Sequence, residues 1–260
     1  MSAPREVEVV TRREELEAGR LGGRAAVVID TLRATTTIAA ALAAGAAWVL
    51  PVDSEEEAWS RAAGLRDPSG GRPLLAGERD RLRIPGFDLG NSPAEFTPER
   101  VGGRGILLCT TNGSRALHAA APHAERLYCA ALVNAGAVAA ELRRAEAERL
   151  TLICSGSGGF FSVEDFLTAG CLIDRLLSEG GAEEAGVRLD DAARAAWLAW
   201  QAGRHRLRET VEPGRAARAL ARAGLEADVE EALRLDALDV VPRMVEGRIV
   251  AGATAPAGRP

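Results

Sequence analysis

The residues whose types and spacing best suit chemistry lie in one stretch, GERDRLRIPGFDLGNSPAEF, at positions 77–96. It combines carboxylates, which could bind a metal, with arginines, which could bind an anion. Its glycines and prolines predict one long loop, and long ordered loops commonly carry function. The apolar run 73–77 delivers Glu78 and Arg79 at the carboxyl end of a strand, where open α/β sheets bind ligands. We therefore expect an anion site with a metal here; the alternative is a solvated surface turn with salt bridges.

A second polar loop follows the predicted strand 25–30. Asp30 ends that apolar strand, and Arg33 and three threonines follow it at the start of a helix. A carboxylate beside hydroxyls and an arginine at a helix N-terminus suits a metal and an anion together. The alternative is that Asp30 or Thr35 only caps the helix.

A third loop, CTTNGSR at positions 109–115, could bind a phosphate through the backbone amides at a helix start. The side chains of Thr111, Ser114 and Arg115 would add hydrogen bonds. Cys109 and Arg115 also have the spacing of cysteine-dependent phosphatases, in which a thiolate attacks phosphorus. No His precedes Cys109 and the loop glycine stands elsewhere, so a buried cysteine at a strand end is the favoured interpretation.

A fourth loop, SGSGGFFSVED at positions 155–165, follows the predicted strand 150–155. Its glycines do not have the spacing of the dinucleotide-binding motif, so nucleotide binding is not predicted. Glu164 and Asp165 begin the next helix, where they are either metal ligands or favourable charges at a helix start.

Composition excludes several classes of function. The chain has 260 residues, 47% hydrophobic and 27% charged, which is typical of a globular protein. Its net charge of −5 and the lack of an arginine stripe with aromatic residues argue against nucleic-acid binding. All 32 basic residues are arginine, which excludes a P-loop lysine, a Schiff base and a lysine general base.

The sequence also gives expectations about location and assembly. It shows no secretory signal and no apolar run of about 18 residues, so we expect a cytoplasmic protein without a membrane segment. The four cysteines lie in apolar contexts and are predicted to be buried thiols. A homodimer is a reasonable expectation for an enzyme of this size.

Strands and helices alternate along the chain. The predicted strands are 7–10, 25–30, 47–52, 74–77, 105–110, 127–132 and 150–155. The predicted helices are 12–18, 34–44, 54–65, 114–121, 135–147, 162–177, 189–201, 215–223 and 225–234, and a hairpin of 240–245 with 248–251 follows them. This pattern predicts one α/β domain, 1–260, with three layers (α/β/α), a mixed or mainly parallel sheet and a helical C-terminal third.

The strand spacing repeats along the chain. Strand starts near positions 25, 47 and 73 recur near 105, 127 and 150, a period of roughly 80 residues. Each half therefore reads as a βαβαβ unit. This suggests two similar halves, although side-chain identities match poorly and any α/β chain has similar spacing.

Four motifs occur in the order found in a known family. IDTLRATTTIAAALAAGA, LLAGERDRLRIPGFDLGNSPAEF, TTNGSRAL and SGSGGFFSVEDFLTAG resemble the 2-phosphosulfolactate phosphatase family. The similarity covers residues 25–177 well and the C-terminal third poorly. The segment 209–215 departs from the family's pattern, so no substrate contact is predicted from it. The resemblance implies a three-layer α/β/α fold and Mg²⁺-dependent hydrolysis of 2-phosphosulfolactate to sulfolactate and phosphate, a step towards coenzyme M.

This resemblance suggests roles for the polar residues of the four loops. A substrate with a phosphate and a sulfonate or carboxylate needs several cationic donors, and its hydrolysis needs a cation that activates water. The predicted catalytic residues are Asp30, Arg33 and Arg79, and the predicted metal ligands are Asp30, Glu78, Asp88, Glu164 and Asp165, of which Mg²⁺ would use only some. The predicted substrate-binding residues are Arg33, Arg79, Asn91, Ser92, Thr111, Asn112, Gly113, Ser114 and Arg115. Two alternatives stay open: a cysteine-dependent phosphatase that uses Cys109 and Arg115, and a non-catalytic small-anion-binding protein.

Overall fold

Strands and helices alternate through the part of the chain that the computed structural model describes, residues 3–177 and 186–252. The strands are β1 (Glu6–Val10), β2 (Ala25–Ile29), β3 (Trp48–Val52), β4 (Leu74–Arg79), β5 (Leu82–Arg83), β6 (Gly105–Cys109), β7 (Arg126–Ala130), β8 (Arg149–Cys154), β9 (Arg188–Leu189), β10 (Pro242–Val245) and β11 (Arg248–Ala251). The helices are α1 (Ala34–Ala43), α2 (Glu55–Gly64), α3 (Pro98–Val101), α4 (Gly113–Ala120), α5 (Ala135–Arg144), α6 (Val163–Leu176), α7 (Asp191–Gly203), α8 (Leu207–Val211), α9 (Arg215–Arg222) and α10 (Glu226–Ala232). The predicted α/β class and helical C-terminal third are confirmed.

The strands form one mixed sheet in the order β5, β4, β6, β3, β11, β10, β7, β2, β8, β1, β9. Most neighbours are parallel, as predicted. The antiparallel contacts are β4 with β5 and those made by the hairpin β10–β11. That hairpin, which the sequence predicts correctly, lies in the middle of the sheet and joins its two halves.

Helices cover both faces of the sheet because successive strand residues point to opposite sides. In β2, Ala26 and Val28 belong to a core that includes α1 and α4, whereas Val27 and Ile29 belong to a second core with α5 and α6. In β6, Leu107 faces a third core that includes α2. The predicted three-layer arrangement is therefore confirmed. Among the described residues, no helix has the length and apolar character needed to cross a membrane.

The two halves of the sheet exchange their central strands. Strand β6 pairs with both β3 and β4, and β2 pairs with both β7 and β8. The pattern repeats after about 80 residues, as the strand spacing predicts. Each half of the sheet nevertheless takes its central strand from the other half of the sequence, so the two βαβαβ stretches are not separate units.

Helix starts follow local chemistry where the sequence supplies a cap. The hydroxyl of Ser54 accepts the Glu57 N–H at 3.1 Å at the start of α2, and Ser162 accepts the Asp165 N–H at 3.3 Å at the start of α6. Asp190 caps α7 by accepting the Ala193 N–H at 2.7 Å. These bonds satisfy amides that have no partner within the helix.

Two sequence predictions differ from the structure. Residues 12–18 do not form an α-helix; a 3-10 turn, Arg13–Glu15, is present, and no hydrogen-bonding side chain caps it. The stretch 77–96 is not one uninterrupted loop, because β4 extends to Arg79 and turns back into β5. Asp80 and Arg81 make that tight turn with φ of 52° and 73°, a conformation that few non-glycine residues adopt.

Asp67 stabilises the loop between α2 and β4 through hydrogen bonds. Its carboxylate accepts hydrogen bonds from Arg104 Nε at 2.7 Å, Gly105 N–H at 3.3 Å and Ser69 N–H at 3.0 Å. Burial alone would raise the pKa of Asp67, but the hydrogen bonds from Ser69 and Arg104 outweigh it and lower the pKa to about 2. Since this is below the ordinary value, the charge stabilises the fold above about pH 4, and that contribution is lost as the pH falls towards 2.

We expect Asp67→Asn to lower the free energy of unfolding at pH 7 by roughly 2–4 kcal/mol. Urea denaturation at several pH values measures it. The difference from wild type should shrink between pH 7 and pH 3, and a difference that stays constant would contradict the role of the charge.

Candidate active site

A cavity of about 330 Å³ opens where four strand-end loops meet. These loops follow β2, β4, β6 and β8, the ones in which the sequence places polar residues. The residues that line the cavity are Asp30, Leu32, Arg33, Glu78, Asp80, Arg81, Asn91, Thr110, Thr111, Asn112, Ser157, Gly158, Phe160, Arg215, Ala216, Ala219, Leu220 and Arg222. The carboxyl ends of sheet strands are where α/β enzymes bind small ligands.

Asp30 lies at the floor of this cavity. Its Oδ1 accepts the Ala34 N–H at 3.3 Å, and its own N–H donates to Thr35 Oγ1 at 3.0 Å, so the end of β2 is fixed against the start of α1. Burial raises the pKa of Asp30 to about 7; the Ala34 N–H opposes the rise, and the charges of Glu78 and Glu164 add to it. A carboxylate held in this way gains most from a nearby cation.

Helix α4 approaches Asp30 closely because Gly113 has no side chain. A Cβ at Gly113 would lie 2.9 Å from Asp30 Oδ2 and 2.5 Å from the Cβ of Ala34. Gly113 therefore serves packing and does not line the cavity. The start of α4 repeats the arrangement at α1: the Thr110 N–H donates to Ser114 Oγ at 3.2 Å, and the Ser114 N–H donates to Thr110 Oγ1 at 3.0 Å.

Glu78 ties the loops after β4 and β6 together. Its Oε1 accepts the N–H of Thr111 at 3.0 Å and the hydroxyl of Thr111 at 2.8 Å, and its Oε2 accepts the Arg81 N–H at 2.8 Å. The side chain is buried and lines the cavity. These bonds fix the carboxylate without using all of its lone pairs.

Asp165 makes the equivalent link in the other half of the sheet. It accepts the Thr31 N–H at 2.8 Å and the Gly156 N–H at 3.2 Å. Burial raises the pKa of Asp165, with a further contribution from the charges of Asp30 and Glu164, and burial likewise raises the pKa of Glu164. Both side chains are buried behind the cavity and do not line it.

Arg33 lines the cavity with a guanidinium held from two sides. Its Nη1 donates to Asp228 Oδ2 at 2.7 Å and its Nη2 donates to the Arg81 carbonyl at 2.8 Å. The other oxygen of Asp228 accepts the Ser92 hydroxyl at 2.5 Å, so Ser92 supports the arginine from behind. Both members of the ion pair are buried. The pair connects α10 to the loop after β2.

Sequence reasoning missed Asp228, although a signal was present. Asp228 shares the buried face of α10 with Val229 and Ala232. A carboxylate on the apolar face of a helix is seldom buried without a partner. The sequence could therefore have marked Asp228 as a residue with a specific cationic partner.

Several predicted site residues lie outside the cavity. Arg79 approaches Glu55 at 3.6 Å, and Arg115 is exposed on α4. Asp88 makes two hydrogen bonds of 2.8 Å with Arg72, so its carboxylate serves the loop rather than a shared site with Glu78. Of the predicted residues, the structure brings together Asp30, Arg33, Glu78, Asn91, Thr111 and Asn112.

Cys109 is fully buried and does not line the cavity. Burial raises the pKa of its thiol, although the nearby Arg79 opposes the rise. A raised pKa reduces the fraction of thiolate, which is the nucleophilic form. The arrangement needed for a cysteine nucleophile facing a phosphate is therefore not found at Cys109 and Arg115.

The donors around the cavity suit a hard cation. Asp30 and Glu78 supply carboxylate oxygens, and the buried amide oxygen of Asn91 has no hydrogen-bond partner among the described residues. No three His, Cys, Asp or Glu side chains in that part of the chain form a complete set of metal ligands. Mg²⁺ seldom needs such a set, because it keeps several waters and takes one or two carboxylates.

Acidic and arginine side chains line one cavity at the carboxyl ends of the strands. This combination is typical of an α/β site for a small anionic compound. Comparison with known proteins agrees. A family model described as 2-phosphosulpholactate phosphatase matches residues 10–247. The chain belongs to the 2-phosphosulfolactate phosphatase family, a family of phosphoric monoester hydrolases.

Curated relatives support this membership. A protein of Symbiobacterium thermophilum is 40% identical over 233 residues, which are 90% of this chain and 96% of that protein. A protein of Deinococcus radiodurans is 40% identical over 228 residues, 85% of this chain and 88% of that one. A protein of Clostridium perfringens strain SM101 is 35% identical over 243 residues, 94% and 95%. Each is named "Probable 2-phosphosulfolactate phosphatase".

Proposed function

We propose that this protein is a Mg²⁺-dependent phosphatase that hydrolyses 2-phosphosulfolactate to sulfolactate and inorganic phosphate. The observation that carries the proposal is the cavity itself, which places Asp30 and Glu78 beside Arg33 at the carboxyl ends of the strands. Family membership and the names of the relatives support the substrate. Phosphoryl transfer depends mainly on positioning and charge stabilisation, and both are provided by these residues.

The roles of the residues follow from their surroundings. Asp30 and Glu78 would hold the ion, which when bound supplies charge neutralisation at the phosphate and a water of lowered pKa. Arg33 is held rigidly by Asp228 and can bind the phosphoryl oxygens, together with the backbone amide of Asn112 at the start of α4. The other role open to Asp30 is that of the general base that takes a proton from the attacking water.

The decisive experiment measures phosphate release from purified protein with Mg²⁺. Its substrates are 2-phosphosulfolactate, 2-phospholactate and unrelated phosphate monoesters. We expect rapid release from 2-phosphosulfolactate and loss of activity with EDTA, restored by excess Mg²⁺. Binding of the substrates without any release would instead favour a non-catalytic small-anion-binding protein.

Cys109→Ser distinguishes the metal-dependent reaction from a thiolate mechanism. We expect kcat within about threefold of wild type, because the buried thiol contributes packing rather than chemistry. Steady-state kinetics with Mg²⁺ measure this. Loss of activity in a variant that melts at the wild-type temperature would favour the cysteine mechanism.

A place on the route to coenzyme M, a homodimer and a cytoplasmic location stay predictions. Size-exclusion chromatography with light scattering measures the oligomeric state directly.

A further inference from the structure

The C-terminal third supplies one wall of the cavity. One face of α9 lines it, with Arg215, Ala216, Ala219, Leu220 and Arg222. Arg218, from the same helix, does not line the cavity. Arg215 and Arg222 lie seven positions apart, which places them on the same side of a helix about two turns apart. The small Ala216 and Ala219 leave space between the two arginines.

These two arginines form no ion pair with the part of the chain that the structure describes. Within residues 3–177 and 186–252, no carboxylate lies within 4.0 Å of either guanidinium. Arg33, by contrast, forms a buried ion pair with Asp228. Cationic side chains lining a cavity attract an anionic ligand and can form strong hydrogen bonds to its oxygens.

Phe160 helps to place Arg215. The Arg215 guanidinium lies over the Phe160 ring at 4.0 Å from its centroid. The ring is 54% exposed and belongs to the loop after β8, so it is a surface aromatic that lines the cavity opening. Guanidinium groups stack favourably on aromatic faces, and stacking restricts the orientation of the fork.

The lining of the cavity therefore includes two chemically different groups of side chains. Asp30 and Glu78 form an acidic group suited to the phosphate with its cation, whereas Arg215 and Arg222 make the α9 wall basic. In 2-phosphosulfolactate the phosphate oxygen and the carboxylate are attached to the same carbon, and the sulfonate lies one methylene further away. With the phosphate held near Asp30 and Glu78, the sulfonate is the acidic group that can reach furthest from it.

We propose that Arg215 and Arg222 bind the sulfonate of the substrate and set the preference for sulfonated over unsulfonated phospho-acids. This inference rests on the proposed function. Two guanidinium groups from separate helix turns suit a sulfonate because its three oxygens diverge and it is charged at every physiological pH.

The test compares two substrates that differ only in that group, 2-phosphosulfolactate and 2-phospholactate. For Arg215→Gln and Arg222→Gln we expect kcat/KM on the sulfonated substrate to fall about 10- to 100-fold each, as for loss of a charged hydrogen bond. On 2-phospholactate we expect a change of no more than about twofold. Arg218→Gln, the matched control on the same helix, should change neither value, and Arg215→Lys should recover part of the loss.

Two results would overturn the inference. Equal losses on both substrates would assign the arginines to the phosphate, and unchanged kinetics on the sulfonated substrate would remove them from the site. If the wild-type protein hydrolyses neither substrate, the proposed function fails, and calorimetric binding of sulfolactate and lactate then tests the arginines alone. Weaker binding of sulfolactate only, in Arg215→Gln, supports the inference; unchanged sulfolactate binding rejects it.

Discussion

Asp30→Asn should lower phosphate release by about 100-fold or more at millimolar Mg²⁺ while the protein stays folded. The replacement keeps the size of the side chain and an oxygen that can accept the Ala34 N–H. It removes the negative charge that the proposed cation needs. If Asp30 is a metal ligand, the variant needs more Mg²⁺ for half-maximal activity; if Asp30 is the general base, kcat falls at every Mg²⁺ concentration.

The same variant should be more stable than wild type without the metal. The pKa of Asp30 is about 7 in the folded protein, above its ordinary value, so the folded state binds more protons than the unfolded state between about pH 4 and 7. The charge therefore costs stability increasingly as the pH rises through that window. We expect Asp30→Asn to raise Tm in Mg²⁺-free buffer at pH 8 and to change it little at pH 4.

Glu56→Gln serves as the control for both measurements, because Glu56 is exposed on α2 away from the cavity. It should match wild type in turnover and in Mg²⁺ dependence. Wild-type turnover of Asp30→Asn across the whole Mg²⁺ titration would disprove this placement of the active site.

Arg33→Ala should lower kcat/KM by about 100-fold or more, since a rigid cationic donor at the phosphate is lost. Asp228→Asn should cause a smaller loss, about tenfold, because Arg33 keeps a hydrogen-bond partner but loses the charge that orients it. Both variants remove one partner of a buried ion pair, so both should also be less stable by a few kcal/mol. Added guanidinium chloride at low millimolar concentration should partly restore Arg33→Ala.

Asp67→Asn is the matched control for this pair. It removes the charge of a well-buried carboxylate that binds Arg104 away from the cavity, and should lower stability without lowering kcat/KM. If Arg33→Ala and Asp228→Asn lower stability but leave kcat/KM unchanged, as the control should, the ion pair of Arg33 has only a structural role.

Much of the site could be predicted because strand ends are readable from sequence. Apolar runs place Asp30, Glu78 and Thr111 at the carboxyl ends of strands, and all three lie near one cavity. Arg79 lies away from the cavity because side chains alternate along a strand: it follows Glu78 in β4, so the two side chains point to opposite faces. Glu78 faces the cavity, and Arg79 approaches Glu55 on α2.

The contribution of the C-terminal third could not be predicted in the same way. The pattern of residues 215–222 predicts a helix correctly, but nothing local shows that α9 packs against strand ends more than 100 residues earlier in the chain. The exchange of β2 and β6 between the halves of the sheet could not be predicted from the sequence for the same reason. Strand order depends on long-range pairing, which side-chain periodicity does not encode.

The exchange of β2 and β6 has a consequence for the chain as it leaves the ribosome. Strand β2 emerges early but finds its neighbours only after residues 126–130 and 149–154 have been made. The hairpin at 242–251, which joins the two halves, is made later still. Until then β3 and β7 each keep an open edge, and open edges invite pairing with other chains. A nascent chain therefore exposes these two edges until residues 242–251 are made, and a fragment that stops before them is expected to aggregate more readily than the longer chain.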